Sequence, residues 1–360
     1  MVHSMFVVVV IVTIYVVVML LRYKKLKPLN VALLVLVILL VYQLYGLTAS
    51  NDNGYRIEKP KGNSEQRIAH ILLEAAYCGI NEDSLQTIER SLLCQTCRIF
   101  NQEQRTIFRY QLRLQPNSSS DMLVMAKDNV YFNESIQFQK SPLVGKHFKS
   151  CSVVGNSGIL QNSDCGAEID KSDYIFRCNM APIKPFGKDA GYRMHFTTMN
   201  PSLLKNRYNT FDRIQNISDF REDTSRQTGL IWIPVFGDNY WTRTCFRAYH
   251  HHRTTNSKIV FGHPEHFKAI WRFWEKRGLQ TWPSTGFYLA TTALDLCDEV
   301  HLFGFWPFHK RYYPEPHDVK YHYYEHLPWA KKHNMTSEFQ LLWQLHMDGI
   351  LKIHIGRCQQ

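Results

Sequence analysis

The stretch Cys151-Ser152-Val153-Val154-Gly155-Asn156-Ser157-Gly158, running on through Cys165 to Tyr174-Ile175-Phe176-Arg177-Cys178-Asn179, decides the fold. Its two short apolar runs, Ser152–Val154 and Tyr174–Arg177, are bounded by turn residues and read as buried strands. Between them, Gly155 and Gly158 let the backbone approach a ligand closely and turn amide N–H groups toward an anion. That is a nucleotide-binding layout. Gly-x-x-Gly is a weak signal by itself, because a strand ending in a glycine turn is common whatever it binds.

Downstream the alternation continues. Strands are expected at Arg193–Thr197, Leu230–Pro234, Lys258–Phe261, Val300–Phe303 and Ile350–Ile355, and helices at Pro201–Asn206, Pro264–Arg277, Thr285–Leu296 and Ser337–Asp348. Such alternation predicts a Rossmann-like α/β domain over 141–360, with a mostly parallel sheet, helices on both faces and ligands outside the C-terminal strand ends. Upstream, Glu65–Tyr77 and Glu82–Phe100 carry apolar residues at helical spacing, so 65–140 is read as a helical, variable region. The basic stretch Arg243–Arg277, interrupted by Glu265 and Glu275, is read as an amphipathic helix with a solvated basic face.

The N-terminus sets the expected compartment. Residues 5–21 are apolar, 22–27 are basic, and 29–47 form a second apolar run close to the ~20 residues that span a bilayer. Basic residues before 29–47 and none just after place the preceding segment, 1–28, in the cytosol and the chain beyond about Asn51 in the lumen. The first apolar run is either a second span or untranslated sequence ahead of a start at Met19, the simpler reading. The polar residues 48–64 form a stem, and Asn117, Asn133, Asn216 and Asn334 head glycosylation sequons.

Nine cysteines all follow the anchor, and an odd number in an oxidising lumen leaves at least one thiol free. Cys94-x-x-Cys97 has no second pair at zinc spacing, so no metal site is expected there. The net charge of +11 and pI near 9.1 favour anionic partners. Nucleic acid is not expected, because the basic residues are dispersed and no nucleic-acid-binding pattern occurs.

Three further blocks carry chemistry. Pro283-Ser284-Thr285-Gly286 opens a helix whose first amides can face a phosphate or carboxylate, although capping alone accounts for a Ser-Thr pair. Gly304-Phe305-Trp306-Pro307-Phe308 ends a strand with aromatic residues that either pack in the core or stack on a base. His322-Tyr323-Tyr324-Glu325 and His333-Asn334-Met335-Thr336-Ser337-Glu338 place two imidazoles downstream of the glycine turn, which invites acid–base work.

In order, these blocks resemble the long, short, third and very short sialyl motifs of the animal sialyltransferases. Cys165, Cys178, the Gly-Phe-Trp-Pro-Phe run and Cys358 are similar to the alpha-2,8 group, nearest its disialoganglioside-synthase-like, mono- or oligosialylating branch. The resemblance implies a variant GT-A-like fold in a type II Golgi membrane protein. It implies inverting transfer of sialic acid from CMP-sialic acid to the 8-hydroxyl of a terminal sialic acid on a glycolipid or glycoprotein, with no metal or other cofactor. It also implies that Asn156 and Asn179 bind CMP, that Ser284, Thr285 and Gly286 contact the donor carboxylate and phosphate, and that Trp306 lies by the nucleotide. His333 would be the general base, and His322 would stabilise the departing phosphate. Gly155, Gly158, Tyr323 and Glu338 would support the site, with disulfides Cys151–Cys297 and Cys165–Cys358 and a buried free thiol at Cys178.

The sequence departs from the family at Glu325, where the group carries Asp, and at Ser157, where many alpha-2,8 members carry Gly. A glycan on Asn334, beside the proposed base, would obstruct the site, so that sequon is expected to stay unmodified. Two alternatives remain open: transfer to galactose or N-acetylgalactosamine, favoured by Ser157, and a catalytically silent sialoglycan-binding lectin. A homodimer is also open.

Overall fold

In the computed structural model of the protein, the described residues are 82–93, 100–113, 123–126, 138–139, 141–234, 239–327 and 333–358. The expected anchor at 29–47, the stem at 48–64, the helix Glu65–Tyr77, the sequons at Asn117 and Asn133, and Cys78, Cys94 and Cys97 all lie outside them. Among the described residues, no helix is long and apolar enough to cross a membrane.

The elements in chain order are α1 (Glu82–Leu93), α2 (Gln102–Arg113), β1 (Leu123–Ala126), β2 (Phe138–Gln139), β3 (Phe148–Val154), α3 (Gly166–Asp170), β4 (Tyr174–Arg177), α4 (Gly187–Ala190), β5 (Phe196–Thr198), α5 (Pro201–Tyr208), α6 (Ile214–Ser225), β6 (Gly229–Ile233), α7 (Asn239–His251), β7 (Ser257–Gly262), α8 (Pro264–Glu275), α9 (Thr285–Leu296), β8 (Cys297–Phe303), β9 (Lys310–Arg311), β10 (His317–Asp318), α10 (Met335–Met347) and β11 (Lys352–His354). The main sheet runs β11-β8-β3-β4-β5-β6-β7-β1-β2. Its first seven strands are parallel, and β1 and β2 add an antiparallel edge. The chain steps outward from β3 to β7, then returns to lay β8 on the other side of β3. A crevice therefore opens between the C-terminal ends of β3 and β8, the switch point at which doubly wound sheets bind ligands.

Period-two alternation assigns the strands' side chains to two faces. Cys151, Val153, Phe176, Trp232, Val260, Leu302 and Ile353 join the core under α1, α2, α8, α9 and α10. Their neighbours Val154, Ile175, Ile231, Ile259 and Phe303 face the cores built with α3 to α7. Helix α9 is buried nearly all round, as a helix at the centre of a large core should be. Its threonine hydroxyls are satisfied within the helix, Thr291 Oγ1 donating to Phe287 O at 3.0 Å and Thr292 Oγ1 to Tyr288 O at 2.9 Å.

Both expected disulfides are present. Cys151–Cys297 ties β3 to the start of β8, and Cys165–Cys358 ties α3 to the C-terminal segment, across sequence separations of 146 and 193. Loops of that length stabilise by about 5 kcal/mol each on the chain-entropy account. Cys178 and Cys245 are buried free thiols.

Several boundaries differ from expectation. Among the described residues the first helix is Glu82–Leu93, Phe100 is not helical, and a second amphipathic helix, α2, follows. Arg243–Arg277 is not one helix: α7 ends, β7 enters the sheet, and α8 restarts behind Pro264 at its first turn, with His263 Nδ1 accepting from Glu265 N. The strand expected at Arg193–Thr197 shrinks to Phe196–Thr198. The His195 ring there takes the place of a backbone partner, its Nδ1 accepting from Ile175 N at 3.1 Å. Strand β11 is likewise shorter than Ile350–Ile355.

Candidate active site

The crevice at the switch point holds a cavity of about 270 Å³ lined by residues from all four sequence blocks. Asn156, Asn179, Ser284, Thr285, Gly286, Trp306, His322, His333 and Glu338 all border it, as does Gly155. Gly158 and Tyr323 stand behind, holding the loop in place. Gly158 N donates to Lys320 O at 3.0 Å, Tyr323 N donates to Asn156 O at 2.9 Å, and Tyr323 Oη donates to Pro182 O at 3.1 Å.

Glycine is required where β3 and β8 end. A Cβ on Gly155 would sit 2.4 Å from Gly304 O, and one on Gly304, where φ is +72°, would sit 2.6 Å from Gly155 O. The two backbones therefore touch, with Gly155 N donating to Phe303 O at 2.7 Å. The Ser157 hydroxyl stitches the same junction, donating to Trp306 O at 2.8 Å.

The opposite wall follows β4 and β5. Asn179 holds a left-handed backbone with φ of +54°, its N–H donating to Thr198 Oγ1 at 2.9 Å and its Oδ1 accepting from Asn200 N at 3.2 Å. Thr285 Oγ1 lies 3.0 Å from Asn200 Nδ2 and 3.1 Å from Asn200 Oδ1, which joins the end of β5 to the start of α9. No sequence block marks Asn200. Its only signal is position, a polar residue between a strand end and the first proline of a helix.

At α9, Ser284 is the N-cap, with Oγ accepting from Phe287 N at 3.2 Å. The same serine is held by Glu338 of α10: Ser284 N donates to Oε1 at 2.6 Å, and Ser284 Oγ pairs with Oε2 at 2.5 Å. The hydroxyl is thus engaged inward, while the amides of Thr285 and Gly286 are the first of the helix, with no intrahelical acceptor available. A Cβ on Gly286 would lie 3.4 Å from the Phe305 ring and 3.8 Å from Cys178 Sγ. Trp306 is 2% exposed, its Nε1 donating to Lys310 O at 3.0 Å and its ring set edge-on to Phe308 and Phe339. The neighbouring Phe305 is the aromatic residue whose ring approaches the Gly155 and Gly286 backbones.

Burial raises the Glu338 carboxyl from 4.5 to about 7, against the opposing pull of its Ser284 hydrogen bonds. Below about pH 4.5 the group is neutral in folded and unfolded chains alike. As pH rises toward 7 the unfolded chain releases the proton first, so the folded state loses stability across that window. Glu338→Gln keeps both contacts with Ser284 and removes the ionisation. Its thermal stability should gain on the wild type between about pH 5 and 8, by up to roughly 3 kcal/mol, since each tenfold change in proton affinity is worth about 1.4 kcal/mol. Parallel profiles would contradict a buried carboxyl at this cap.

The histidines are oriented by different partners. His322 is stacked between Tyr321 and Tyr324 and bonds through Nδ1 to Glu325, so the extra methylene of Glu325 still reaches the ring. His333 Nδ1 donates to the carbonyl of Trp282 at 3.3 Å, which fixes the proton on Nδ1 and leaves Nε2 as the basic nitrogen. Next to His333, Asn334 caps α10, its Oδ1 accepting from Ser337 N at 3.1 Å. Trp282 itself is 48% exposed, stacked on Phe267 and tilted against Trp271.

A capped helix terminus, a glycine junction and two oriented imidazoles around one crevice can receive an anionic group and move a proton beside it. Residues 97–350 match glycosyltransferase family 29 (sialyltransferase), and since this spans well over half of the 360 residues, the chain belongs to that family. Among curated relatives, "Alpha-2,8-sialyltransferase 8F" of Mus musculus is 37% identical over 224 residues, which are 61% of this chain and 55% of that protein. "Alpha-N-acetylneuraminide alpha-2,8-sialyltransferase" of Xenopus tropicalis is 35% identical over 223 residues, 59% of this chain and 62% of that protein. The chain therefore spans little more than half the length of these relatives. A crystallised mammalian sialyltransferase in complex with Gal-beta-1-3GalNAc-ortho-nitrophenol is 21% identical, covering 78% of this chain and 89% of its own, with a TM-score of 0.44.

Proposed function

We propose that the protein transfers sialic acid from CMP-sialic acid, with inversion, to the 8-hydroxyl of a terminal sialic acid on a glycolipid or glycoprotein glycan. The observation that carries this reading is the convergence of all four sequence blocks on one crevice, with His333 held in the tautomer a general base needs.

In this reaction Asn156 and Asn179 hold the CMP portion, and the free amides of Thr285 and Gly286 receive the donor's carboxylate and phosphate at the positive end of α9. Glu338, whose ionisation burial disfavours, secures that helix start through its two contacts with Ser284. As the bond to CMP breaks, positive charge grows at the anomeric carbon and negative charge on phosphate. His322, whose Nδ1 is turned to Glu325, offers Nε2 to that phosphate. His333 Nε2 takes the proton of the acceptor hydroxyl as it attacks. Phe305 offers a ring beside the Gly286 position, with Trp306 as the packed support beneath it. The exposed Trp282, adjacent to the base, suits the apolar face of the acceptor sugar.

The same reading places the protein in the Golgi membrane with the catalytic domain lumenal, and it needs no metal, because protein donors take over charge stabilisation. Transfer to galactose or N-acetylgalactosamine draws little support from Ser157, whose hydroxyl is used in the loop junction. A silent lectin would have no use for two imidazoles each oriented by its own partner.

The test is to incubate full-length protein in detergent with CMP-sialic acid and a sialylated acceptor, with and without EDTA. Equal formation of a new sialic acid linkage in both samples is expected. No product from folded protein would refute the transfer, and a product that vanishes with EDTA would refute metal independence.

A further inference from the structure

A second cavity, of about 600 Å³, lies at the other end of the sheet, where the parallel strands begin. It is lined by the starts of β3, β4 and β6 and the residues leading into β5, whereas the first crevice lies beyond the strands' C-terminal ends. Its size is within the range of about 300–1,000 Å³ usual for small-molecule sites. Phe148, Tyr174 and Tyr192 supply aromatic wall, Lys146, Arg193 and His195 supply donors, and no carboxylate is among the described residues lining it.

The donors are built in. The Arg193 guanidinium is anchored through Nη1 to Asp170 O and to Ser172 O at 3.2 Å, which presents Nη2 to His195 Nε2 at 3.4 Å. His195 Nδ1 accepts from Ile175 N, so in the neutral ring the proton resides on Nε2. Burial and the adjacent Arg193 and Arg177 lower this imidazole's pKa, which keeps the ring neutral. Two N–H donors thus lie side by side without an acceptor, an arrangement that an anion's oxygen bridging both from the cavity would satisfy. The Asp170 carboxylate does not fill that role, since its oxygens accept from Tyr192 N at 2.7 Å and Arg193 N at 3.0 Å.

Beside the donors, the Tyr192 ring is 64% exposed yet fixed over Gly187, where a Cβ would meet it at 2.1 Å. His195 is backed by the stack of Tyr174 on Phe148, with ring centroids 5.1 Å and 4.3 Å apart in turn. A planar pair of donors next to a held aromatic ring matches a carboxylate attached to a pyranose. A bare phosphate would use the donors and leave the ring idle.

We propose that this cavity is a second glycan-binding site, separate from the transfer crevice, which takes a sialic acid carboxylate between Arg193 and His195 and the sugar's apolar face against Tyr192. Naming sialic acid, and not another carboxylate sugar, rests on the transfer reaction proposed above. The site would retain a sialylated glycan on the enzyme at a distance from the reacting end.

The test is the stoichiometry and affinity of sialyllactose binding to the full-length protein, with lactose and inorganic phosphate as competitors. Two sialyllactose molecules per chain are expected. Removing the ring in Tyr192→Ala, or reversing a lining charge in Lys146→Glu, should weaken one of them at least about tenfold, both being exposed positions, with transfer to a small acceptor unchanged. Neither lactose nor phosphate at equal concentration should displace that molecule. Binding unaffected by either variant would overturn the site, and displacement by phosphate would overturn its assignment to a sugar. A chain that binds the second sialyllactose yet transfers nothing would refute the proposed reaction and leave the site standing. A chain that transfers normally but binds only one would do the reverse.

Discussion

His333→Ala should lower the transfer rate by about 10²- to 10⁴-fold, the range supplied by a positioned general base. CMP-sialic acid should bind the variant as tightly as the wild type, because His333 lies in the loop before α10 while the proposed donor contacts come from the ends of β3, β4 and α9. The effect belongs in kcat. The Trp282 carbonyl accepts from Nδ1, and on the proposed mechanism Nε2 is the atom that takes the acceptor's proton. A methyl group leaves the acceptor hydroxyl with no basic atom, so a loss under tenfold, or an equal loss in donor affinity, would assign His333 a structural role.

Glu89→Ala should cost about 3–5 kcal/mol of folding stability, the penalty for leaving a buried charge without its partner. Glu89 is fully buried in α1, accepting from Arg311 Nε at 3.0 Å, Tyr312 N at 2.6 Å and Tyr313 N at 3.1 Å. Arg311 is 6% exposed, so no solvent replaces the lost carboxylate. These bonds pin α1 to the end of β9 and the two residues that follow it, a short way downstream of Trp306. Thermal unfolding of the full chain reads the effect. The double variant Glu89→Leu, Arg311→Met should recover part of the loss, since it removes both charges, but not all of it, because the Tyr312 and Tyr313 amides still lack an acceptor. A single variant as stable as the wild type would show that the pair contributes nothing.

The central parallel strands are legible in the sequence because they carry short apolar runs that are buried on both faces, as at Ser152–Val154 and Tyr174–Arg177. Tyr174–Arg177 and the helix Thr285–Leu296 match to the residue, the latter because Ser284 marks its start and the strand beginning at Cys297 marks its end. Helix α6 is not legible: Ile214 is 87% exposed and its buried positions are Phe220 and Thr224, so no apolar stripe announces it. Helix α7 is legible only from Arg243 on and without its end, because its buried Cys245, Phe246 and Ala248 sit among histidines and arginines that run on to the next strand.

For the site, the blocks themselves are readable and their junctions are not. Ser284 and Glu338 are 54 positions apart, and Thr285 and Asn200 are 85 apart; only the fold brings each pair together. The Trp282 carbonyl that orients the His333 ring is a backbone atom, so no residue type advertises it. The anion-ready pair Arg193 and His195 reads as ordinary strand, since one ring substituting for a backbone acceptor leaves no trace in hydropathy.

The most direct measurement of the central claim supplies full-length protein with labelled CMP-sialic acid and two acceptors that differ only in the terminal sialic acid. Label incorporated into the sialylated acceptor alone, in a linkage to the 8-hydroxyl, is the predicted result. Label on the desialylated acceptor, or release of free sialic acid with neither acceptor modified, would contradict it.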